Sequence, residues 1–569
     1  MLNLVFQFWP LIVLFVLFFW LVSRTKAILF WTYLWQLKNY HFGRFWAHFS
    51  TNDGRQSIYN KLILIKIIFL AVLIRILYSL FFQVHFLGIQ INEAHGWSVM
   101  ALIFMLYSFE GLYSLRSFFK KQAKLPEFTS KIIFLLPLIF IPLAILSTVL
   151  FSLAIKSFQD NFFNIFTNSA IFSLIILAFD LVVPIVVSVI ILFFQPITII
   201  LRNKVIGQAM EKIKSLENLT IIGITGSFGK SSVKNFLQTV LSESFRIVAT
   251  EKNKNSEMGI SETILNQLNN EHEIFICEMG AYNRGGIKLL SKITRPKIGI
   301  LTGIGNQHLA TFGSQKNITR AKMELIQALP EEGLAILNWD SEPIRDNFKH
   351  NKNCLKYGLN PGNDIWADDI KIEKFSLSFT AVFKTGDKIK IKLNLSGGHN
   401  IINLLPVIAL AKRLGMENKE ILAGLEKISS DSNGLKLFKN KDDFYVADSS
   451  YSANFHGVFA HLDYLKVWKS KKIFVMPSLI ELGREASRLH YEMGKKIGEN
   501  CDYLIIISGD YFSELKQGAK SAGMKPENIF LIPSPLAQYE KIKLLAKKDD
   551  LVFLEGRAST YLIEKLCEK

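Results

Sequence analysis

The stretch Gly223–Leu237, GITGSFGKSSVKNFL, places a lysine and a serine directly after a run rich in glycine. The apolar run NLTIIGIT overlaps its start and predicts a buried strand, and the residues after the lysine predict a helix. Lys230 can reach the terminal phosphates of a nucleotide, and the Ser231 hydroxyl can bind Mg²⁺. Glycines let backbone N–H groups close on phosphate oxygens, and a helix N-terminus adds partial positive charge. We interpret the stretch as a phosphate-binding loop, although Ile224 occupies the first glycine position of G-x4-G-K-[ST]. A chance glycine-rich turn is the alternative.

Two more polar side chains follow apolar runs that predict strands. Glu278 lies in EIFICEMGA (Glu273–Ala281), and His308 comes shortly after KIGILTGIG (Lys297–Gly305). Ligand-binding residues of open α/β sheets come from the carboxyl ends of strands, so we expect both residues near the loop. A carboxylate in this position suits Mg²⁺. Taken alone, each residue would be interpreted as structural. Together with the phosphate-binding loop, a functional role is the favoured interpretation.

These residues belong to an ordered series of motifs that runs from about residue 221 to beyond residue 494. The series resembles the Mur ligase family, the ATP-dependent amide-forming enzymes of cell-wall precursor synthesis, and most of all its branch that adds D-alanyl-D-alanine to a muramoyl tripeptide. The blocks that carry the resemblance are ITGSFGKSS, TEKNKNSEMGI (Thr250–Ile260), CEMGAYNRGGI, GNQHLATFGSQKNITRAKMEL, LNWD (Leu337–Asp340), GGHNIINLLPVIALAKRLG (Gly397–Gly415), DSSYSAN (Asp448–Asn454) and IELGREASRLH (Ile480–His490).

The resemblance implies the chemistry of the family. ATP phosphorylates a substrate carboxylate, an amine attacks the acyl phosphate, and phosphate leaves, so cations must be placed near the γ-phosphate beforehand. It implies that Lys230, Glu278, His308 and Lys322 are catalytic, and that Ser231, Glu278, His308 and Lys322 hold Mg²⁺. The ATP-binding residues that it implies are Thr225, Gly226, Ser227, Gly229, Lys230, Ser231, Ser232, Asn400, Asn403 and, approaching from the C-terminal domain on closure, Asp448.

Lys322 needs a separate explanation, because a lysine is an unusual metal ligand. It matches a lysine that is carbamylated in many members of the family, and carbamylation would turn a cation into an anionic oxygen ligand. An exposed helix lysine is the alternative interpretation.

The chain departs from the family pattern at several positions. Phe228 replaces the usual Asn of the loop, and Leu435 and Lys436 stand where Gly-Arg usually precedes the DSSY block. Arg and Lys bind phosphate differently, so the ATP contact at Lys436 differs from the family pattern. The N-terminal domain that binds the UDP part of the precursor in the family has no recognisable counterpart, and apolar segments occupy its place.

Hydrophobic side chains make up 50% of the chain and crowd into the first two hundred residues. Five segments approach the roughly 20 apolar residues that a helix needs to cross a bilayer. The first lacks a basic start and a cleavage site, so we interpret it as a retained helix and not a signal peptide. AILFWTYLWQL (Ala27–Leu37) is too short to span and is expected in the cytoplasmic interface. The predicted spans are Leu4–Val22, Ile67–Leu87, Trp97–Leu115, Ile132–Ile155 and Ala170–Phe194.

Lysine and arginine are unevenly distributed among the connecting segments. They follow the first, third and fifth predicted spans, whereas the loops His85–His95 and Ser157–Asn168 have none. The positive-inside rule then predicts an outside N-terminus and a cytoplasmic chain after Phe194. Pro10 leaves the alternative of four spans with Met1 inside. The basic residues are Arg24, Lys26, Lys38, Arg44, Arg55, Lys61, Arg116, Lys120, Lys121, Lys124, Arg202 and Lys204.

Three ionisable side chains fall inside the predicted spans: Arg75, Glu110 and Asp180. Charges at such depth are costly and usually face the interior of a helix bundle. A mutual ion pair that stabilises the bundle is the favoured interpretation, and a substrate or proton pathway is the alternative.

The formal net charge of +18 indicates cytoplasmic Lys and Arg facing anionic lipid, and no nucleic-acid-binding motif accompanies it. The four cysteines are far apart and form no CxxC pair, which disfavours a disulfide framework or a zinc site.

The predicted fold class is a multi-domain protein: an α-helical transmembrane bundle (1–200), an α/β P-loop ligase domain (205–425) and a Rossmann-like α/β C-terminal domain (426–569). Asn203–Ser215 predicts a connecting helix. The alternation in DIWADDIKIEKFSLSFTAVFKTGDKIKIKLNL predicts antiparallel strands that form a small sheet on the central domain.

The resemblance implies an ATP-dependent amide (peptide) ligase of cell-wall precursor synthesis, with ATP and Mg²⁺ as cofactors, that adds D-Ala-D-Ala or a similar amine to a muramoyl peptide. The acceptor is a muramoyl peptide or a lipid-linked form of it, and the donor is an amino acid or dipeptide. Membrane lipids and cell-wall assembly proteins are further expected partners; nucleic acid is not. A membrane scaffold or regulator that binds ATP without chemistry, and an amide ligase acting on another polymer, are the alternatives.

Overall fold

The computed structural model describes residues 2–38, 40, 42–49, 52–82, 93–120, 123–156, 162–251, 254–348, 353–429, 435–450 and 453–568. The chain forms two compact units, Met1–Leu201 and Arg202–Lys569.

The described residues of the first unit form helices. Four contain stretches long and apolar enough to cross a membrane by length and composition: Leu11–Leu37, Trp97–Phe119, Ser130–Ser152 and Ser169–Phe193. The helices are α1 (Leu2–Leu37), α2 (Phe42–His48), α3 (Asn52–Ile58), α4 (Lys61–Phe82), α5 (Glu93–Phe119), α6 (Ser130–Lys156) and α7 (Phe162–Phe193).

The first helix differs from the sequence prediction. The predicted span Leu4–Val22 and the predicted interfacial segment Ala27–Leu37 are parts of one continuous helix, α1. The prediction of a separate interfacial segment is therefore wrong. Arg24 and Lys26 suggested a loop because they interrupt the apolar run, but they lie within the helix.

The second predicted span, Ile67–Leu87, coincides only in part with α4. This helix carries Lys61, Lys66 and Arg75 among its 22 residues and is not one of the four candidate spans in the described part of the chain. Residues 85–92 of the first loop predicted without Lys or Arg, and residues 157–161 of the second, lie outside the described ranges; the remaining residues of these loops belong to α5 and α7.

Four charged side chains form a closed ring inside the first unit. Arg24 of α1 contacts Glu110 of α5 at 2.5 Å and Asp180 of α7 at 3.0 Å. Lys66 of α4 contacts the same two carboxylates at 2.6 and 2.5 Å. Cations and anions alternate and balance, which is the arrangement in which buried charges are tolerated. We call these four residues the charge ring; it joins four helices.

Two aromatic side chains add hydrogen bonds to the charge ring. Trp20 Nε1 donates to Asp180 at 3.0 Å, and the Tyr107 hydroxyl donates to the same residue at 2.9 Å. The predicted ion pairing thus holds for Glu110 and Asp180, but their cations are Arg24 and Lys66. The guanidinium of Arg75, which was predicted as the partner, lies 5.9 Å from the centre of the Tyr78 ring.

The second unit begins with the end of α8 (Gln195–Ser215), which contains the predicted connecting helix and buries Ile206, Ala209 and Ile213. A nine-stranded sheet follows, in the order β2-β3-β1-β4-β5-β6-β7-β8-β9. Its strands are β1 (Thr220–Thr225), β2 (Ile247–Ala249), β3 (Ile274–Glu278), β4 (Ile298–Leu301), β5 (Leu334–Asn338), β6 (Asn353–Gly358), β7 (Ile365–Ile372), β8 (Leu377–Phe383) and β9 (Lys388–Leu393). The accompanying helices are α9 (Lys230–Leu241), α10 (Glu257–Gln267), α11 (Gly286–Thr294), α12 (Leu309–Phe312), α13 (Gln315–Gln327), α14 (Glu342–Asn347), α15 (His399–Arg413) and α16 (Asn418–Glu426).

The central strand β1 pairs in parallel with both β3 and β4, so the sheet order reverses at β1. Ligands of open α/β sheets bind at such a reversal, at the carboxyl ends of the strands. Apolar clusters cover the sheet, and its buried strands read as continuous apolar runs, as expected when both faces are covered.

The predicted antiparallel strands are present as β7, β8 and β9. They do not form a separate small sheet, however, because β7 pairs in parallel with β6 and thereby extends the nine-stranded sheet. That part of the prediction is wrong: alternation of apolar residues identifies a strand but not its neighbour.

A second sheet contains six strands in the order β10-β11-β15-β12-β13-β14. All its pairs are parallel except β10–β11. Its strands are β10 (Lys436–Lys439), β11 (Tyr445–Ser449), β12 (Lys472–Met476), β13 (Tyr503–Ile506), β14 (Ile529–Leu531) and β15 (Leu551–Glu555). The accompanying helices are α17 (Phe455–Tyr464), α18 (Ala486–Asn500), α19 (Phe512–Ser521), α20 (Pro535–Leu545) and α21 (Thr560–Cys567).

The charge ring predicts how the first unit responds to substitution. Asp180→Asn removes one of two anions and leaves Arg24 and Lys66 with a single carboxylate, so we expect a cost of about 3–5 kcal/mol. Titration of the detergent-solubilised chain with SDS, followed by tryptophan fluorescence, measures it. The double variant Asp180→Asn with Lys66→Met should recover part of the lost stability, since one cation, Arg24, and one anion, Glu110, then remain and their charges balance. Glu127→Gln, at an exposed carboxylate, is the control. Equal midpoints for Asp180→Asn and this control would contradict the ring's role.

Candidate active site

The glycine-rich loop between β1 and α9 packs closely against the end of β4. A Cβ on Gly226 would lie 2.1 Å from Thr302 Oγ1, so the close approach requires glycine. Gly229 has φ +79° at the N-cap of α9, a conformation that favours glycine, and no side chain caps this helix. Ser227 N donates to Gly303 O at 2.7 Å, and Thr302 Oγ1 donates to the Phe228 carbonyl at 2.5 Å. The loop thus leaves the N-terminus of α9 without a side-chain partner, as a phosphate site requires.

Glu278 lies at the carboxyl end of β3, beside the first turn of α9. The Ser231 hydroxyl donates to its Oε2 at 2.9 Å, and Asn255 Nδ2 donates to its Oε1 at 3.1 Å. Its backbone N–H donates to Thr250 Oγ1 at 3.0 Å. Glu278 is only 6% exposed, so these contacts fix a buried carboxylate next to the loop. Lys234, one helical turn after Lys230, donates to the Thr250 carbonyl at 2.7 Å.

Besides Lys234, whose Nζ lies 3.9 Å from Glu278 Oε2, the ammonium groups of Lys230 and Lys322 interact electrostatically with this carboxylate. Lys230 Nζ donates to the Gly226 carbonyl at 2.9 Å. Burial lowers the pKa of Lys230, and the charge of Glu278 opposes that shift. Lys322 on α13 is 3% exposed, which rules out the exposed helix lysine considered above. Burial, followed by the charge of Lys230, lowers the pKa of Lys322 to about 7, against the opposing charges of Glu278 and Glu324.

His308 follows β4 and precedes α12, and its ring is held on two sides. Its Nδ1 lies 2.5 Å from Glu481 Oε2, and the Tyr282 ring packs edge-on at a centroid distance of 4.7 Å. Burial lowers the pKa of His308; Glu481 opposes the shift, and the charges of Lys322 and Lys230 add to it. The structure thus brings Lys230, Lys322 and His308 within electrostatic reach of one another.

The remaining predicted ATP residues divide into two groups. Asn403 Oδ1 would lie 2.5 Å from a Cβ on Gly229, so this residue is against the loop. The Thr225 hydroxyl donates to the Met279 carbonyl at 2.9 Å and joins β1 to the chain after β3. Ser232 lies in the first turn of α9. Asn400, in contrast, is fully buried and donates to the Ser396 carbonyl at 2.8 Å, which fixes the turn before α15.

Asp448 belongs to the second sheet, near the end of β11. Its Oδ1 accepts from Ser450 N at 2.9 Å, a local contact. Its role toward ATP stays a prediction.

The departures from the family pattern have structural consequences. The Phe228 ring stacks on His456 at 4.9 Å, so the loop residue contacts the C-terminal part of the same unit. Leu435 is 1% exposed within the apolar core of that part, so its side chain is a core residue and not a phosphate ligand.

Sequence reasoning missed several residues that the structure places at this site. Thr302 lies in the apolar run Lys297–Gly305, Asn255 lies in the block Thr250–Ile260, and Glu481 is the acidic residue of the ELG block. A polar residue at a strand end could have singled out Thr302. No local signal points to Glu481, because its partner is 173 positions away.

Two oxygen atoms at this site are suitable ligands for Mg²⁺. Ser231 Oγ and Glu278 Oε2 are hard oxygen donors 2.9 Å apart, the kind of ligand that Mg²⁺ prefers. Within the described ranges, no group of three or more His, Cys, Asp or Glu could hold a metal ion. The residues therefore suit an ion shared with nucleotide phosphates and water.

Comparison with known proteins agrees with this geometry. Residues 224–411 match the family model of the Mur ligase middle domain. The UDP-N-acetylmuramoyl-tripeptide–D-alanyl-D-alanine ligase of Synechocystis sp. is 31% identical over 296 residues, which are 51% of this chain and 62% of that protein. The enzyme of that name from Escherichia coli is 29% identical over 278 residues, 48% of this chain and 61% of that protein. The chain thus spans about three fifths of these two relatives.

Solved structures show the same fold. MurF from Acinetobacter baumannii superposes with a TM-score of 0.58 and 25% identity, covering 65% of this chain and 81% of that chain. MurF from Thermotoga maritima in complex with ADP superposes with a TM-score of 0.58 and 24% identity, covering 64% of this chain and 83% of that chain. The resemblance to Mur ligases that the motifs predict is confirmed, together with the α/β ligase fold.

Proposed function

We propose that this chain, a MurF-like protein with a Mur ligase middle domain, is a membrane-anchored ATP-dependent ligase that joins D-alanyl-D-alanine or a similar amine to a muramoyl peptide. The observation that carries the proposal is the cluster at the carboxyl end of the first sheet. That cluster consists of a phosphate-binding loop, the Ser231–Glu278 pair and the ammonium groups of Lys230 and Lys322. Relatives similar to this chain are named for this reaction.

In the proposed reaction the loop N–H groups and Lys230 bind the β- and γ-phosphates of ATP. Ser231 and Glu278 would hold Mg²⁺, which supplies positive charge at the transferring phosphoryl group. An oxygen of the acceptor carboxylate attacks the γ-phosphorus, and the bond from that phosphorus to the ADP oxygen breaks. The amine then attacks the carbonyl carbon of the acyl phosphate, the bond to phosphate breaks, and the nitrogen loses a proton.

Negative charge accumulates around the γ-phosphate in both steps, so preplaced cations act mainly on the transition states. Lys230 is fixed by its bond to the Gly226 carbonyl. His308 and Lys322 are proposed to hold a second Mg²⁺, with Lys322 in carbamylated form. An amine whose pKa is about 7 is neutral in a large fraction of molecules at neutral pH, and only a neutral amine adds to CO₂.

The acceptor is proposed to be a muramoyl peptide, either free or lipid-linked. The described residues of the first unit are helical, and four of its stretches could span a membrane by length and composition. We propose that α4 spans as well, because the charge ring neutralises Lys66. In the proposed orientation, which follows from the distribution of Lys and Arg, five spans have the N-terminus outside and the ligase part in the cytoplasm, where ATP is available.

Ligase activity is the direct test of the proposal. The purified chain should release ADP and phosphate only when Mg²⁺, a muramoyl tripeptide and D-Ala-D-Ala are all present, with amide product detected by mass spectrometry. Lys230→Ala should lower turnover at least about 100-fold, since it removes a charge at the transferring phosphoryl group. Lys297→Ala, at an exposed lysine before β4, is the matched control. ATP binding without amide formation from any wall precursor would support the scaffold alternative instead.

Carbamylation of Lys322 predicts a pH-dependent signal. With a pKa of about 7, the protonated amine, which cannot react, predominates at pH 6 and the neutral amine at pH 8, so ¹³C-bicarbonate should give a carbamate carbon resonance that grows over this range. Lys322→Arg should lack the resonance and lose activity. Lys316→Arg, at an exposed lysine of the same helix, should keep both. A wild-type chain with full activity and no carbamate resonance would contradict this role.

Orientation can be tested with single cysteines in a background that lacks the native four. Cysteines at Asn3, Gly88 and Asn164 should react with a membrane-impermeant thiol reagent on intact cells, and one at Ser50 only after lysis. Protection of Asn3 alone would remove the first span and leave the ligase proposal intact. Labelling of Ser50 in intact cells would overturn the orientation.

A further inference from the structure

We infer that Glu481 is a positioning residue: it orients the His308 ring toward the metal, so that metal binding depends on the C-terminal part of the ligase. This inference rests on the proposed function, in which His308 and Lys322 hold a second metal ion. Glu481 lies in the segment between β12, a strand of the second sheet, and α18. His308 follows β4, a strand of the first sheet.

The contact between the two side chains fixes the state of the ring. His308 Nδ1 and Glu481 Oε2 are 2.5 Å apart. An ionised carboxylate can only accept, so Nδ1–H is the donor and the lone pair of the neutral ring is on Nε2. Histidines that ligate metals usually donate their other ring N–H to a carboxylate in this way. The pair therefore already has the arrangement that a histidine ligand needs.

The backbone shows that this contact is built into the fold. His308 has φ +62° and Glu481 has φ +65°, and such left-handed conformations are uncommon for residues other than glycine. Each costs free energy that the surrounding structure must offset, and such residues cluster at functional sites. The Ala310 N–H donates to the Glu481 carbonyl at 2.9 Å, so main-chain and side-chain contacts join the same two segments.

The segment that carries Glu481 is itself braced. The Leu479 N–H donates to His490 Nε2 at 3.0 Å, and the His490 ring is fully buried and stacks on Tyr511 at 4.4 Å. The His490 Nδ1 is bonded to the Ala486 carbonyl at 2.6 Å. A rigid support of this kind suits a residue whose task is to hold another side chain in one orientation.

Mn²⁺ binding to the full chain in detergent micelles tests the inference. Mn²⁺ replaces Mg²⁺, a non-hydrolysable ATP analogue is present, and EPR measures free Mn²⁺. The wild type should bind two ions. Glu481→Gln and Glu481→Ala should weaken the second ion about 10- to 100-fold and leave the first unchanged. Glu485→Gln, at an exposed carboxylate of the same segment, should bind both ions like the wild type.

A comparison with His308→Ala shows whether Glu481 acts through the ring. The double variant Glu481→Ala with His308→Ala should bind the second ion no more weakly than His308→Ala alone, because residues in one network are not additive. Additive losses, a wild type that binds one ion, or Glu481→Ala that binds both ions normally would each overturn the inference. So would a lower Tm for Glu481→Ala with the second ion retained, which would make the pair a purely structural contact.

The outcome separates this inference from the proposed function. Two ions bound in a manner that depends on Glu481, with no amide formed from any precursor, would leave the positioning role intact and remove the ligase assignment.

Discussion

The ligase part is organised around an electrostatic imbalance: three ammonium groups, those of Lys230, Lys234 and Lys322, lie near one buried carboxylate, Glu278. Burial disfavours the charged form of an ammonium group and is the main cause of the lowered pKa of Lys230 and Lys322; for Lys322 the charge of Lys230 adds to it. An anion with several oxygens relieves this imbalance, and a nucleotide phosphate is such an anion. The uncapped start of α9 and the tight contact of Gly226 with Thr302 keep space for that anion at the carboxyl end of the sheet. The unfavourable electrostatic free energy of the free site should therefore decrease when a phosphate binds.

Much of this site could be predicted from the sequence, because its main signals are local. A strand, a glycine-rich loop, a lysine and a helix follow one another within fifteen residues, and the polar residues at the next strand ends, Glu278 among them, join the same edge. Partners distant in sequence could not be predicted. Glu481 meets His308 across 173 positions, and the burial of Lys322 depends on which side of α13 packs against the sheet. The burial of Leu435 could not be predicted for a similar reason, since it depends on how the C-terminal part packs.

The first unit shows why hydropathy along the sequence does not fully predict where helices end or which of them are buried. The apolar run ends at Arg24 by composition, yet the helix continues to Leu37. Lys66 and Arg24 both neutralise Glu110 and Asp180, and balanced charges need not leave the interior of a helix bundle. A hydropathy average along the sequence penalises every cation, because it does not include ion-pair partners on other helices. By composition α4 is therefore a poor candidate for a span, although its Lys66 is buried and paired.

The open edge of the nine-stranded sheet has a consequence for solubility. β9 is the last strand in the order, and Lys388, Lys390 and Lys392 are exposed along it while the intervening Ile389 and Ile391 are buried. A lysine at every second position repels an identical edge from another copy and makes the addition of a foreign strand unfavourable. The lysines therefore disfavour aggregation of copies of this chain through this edge.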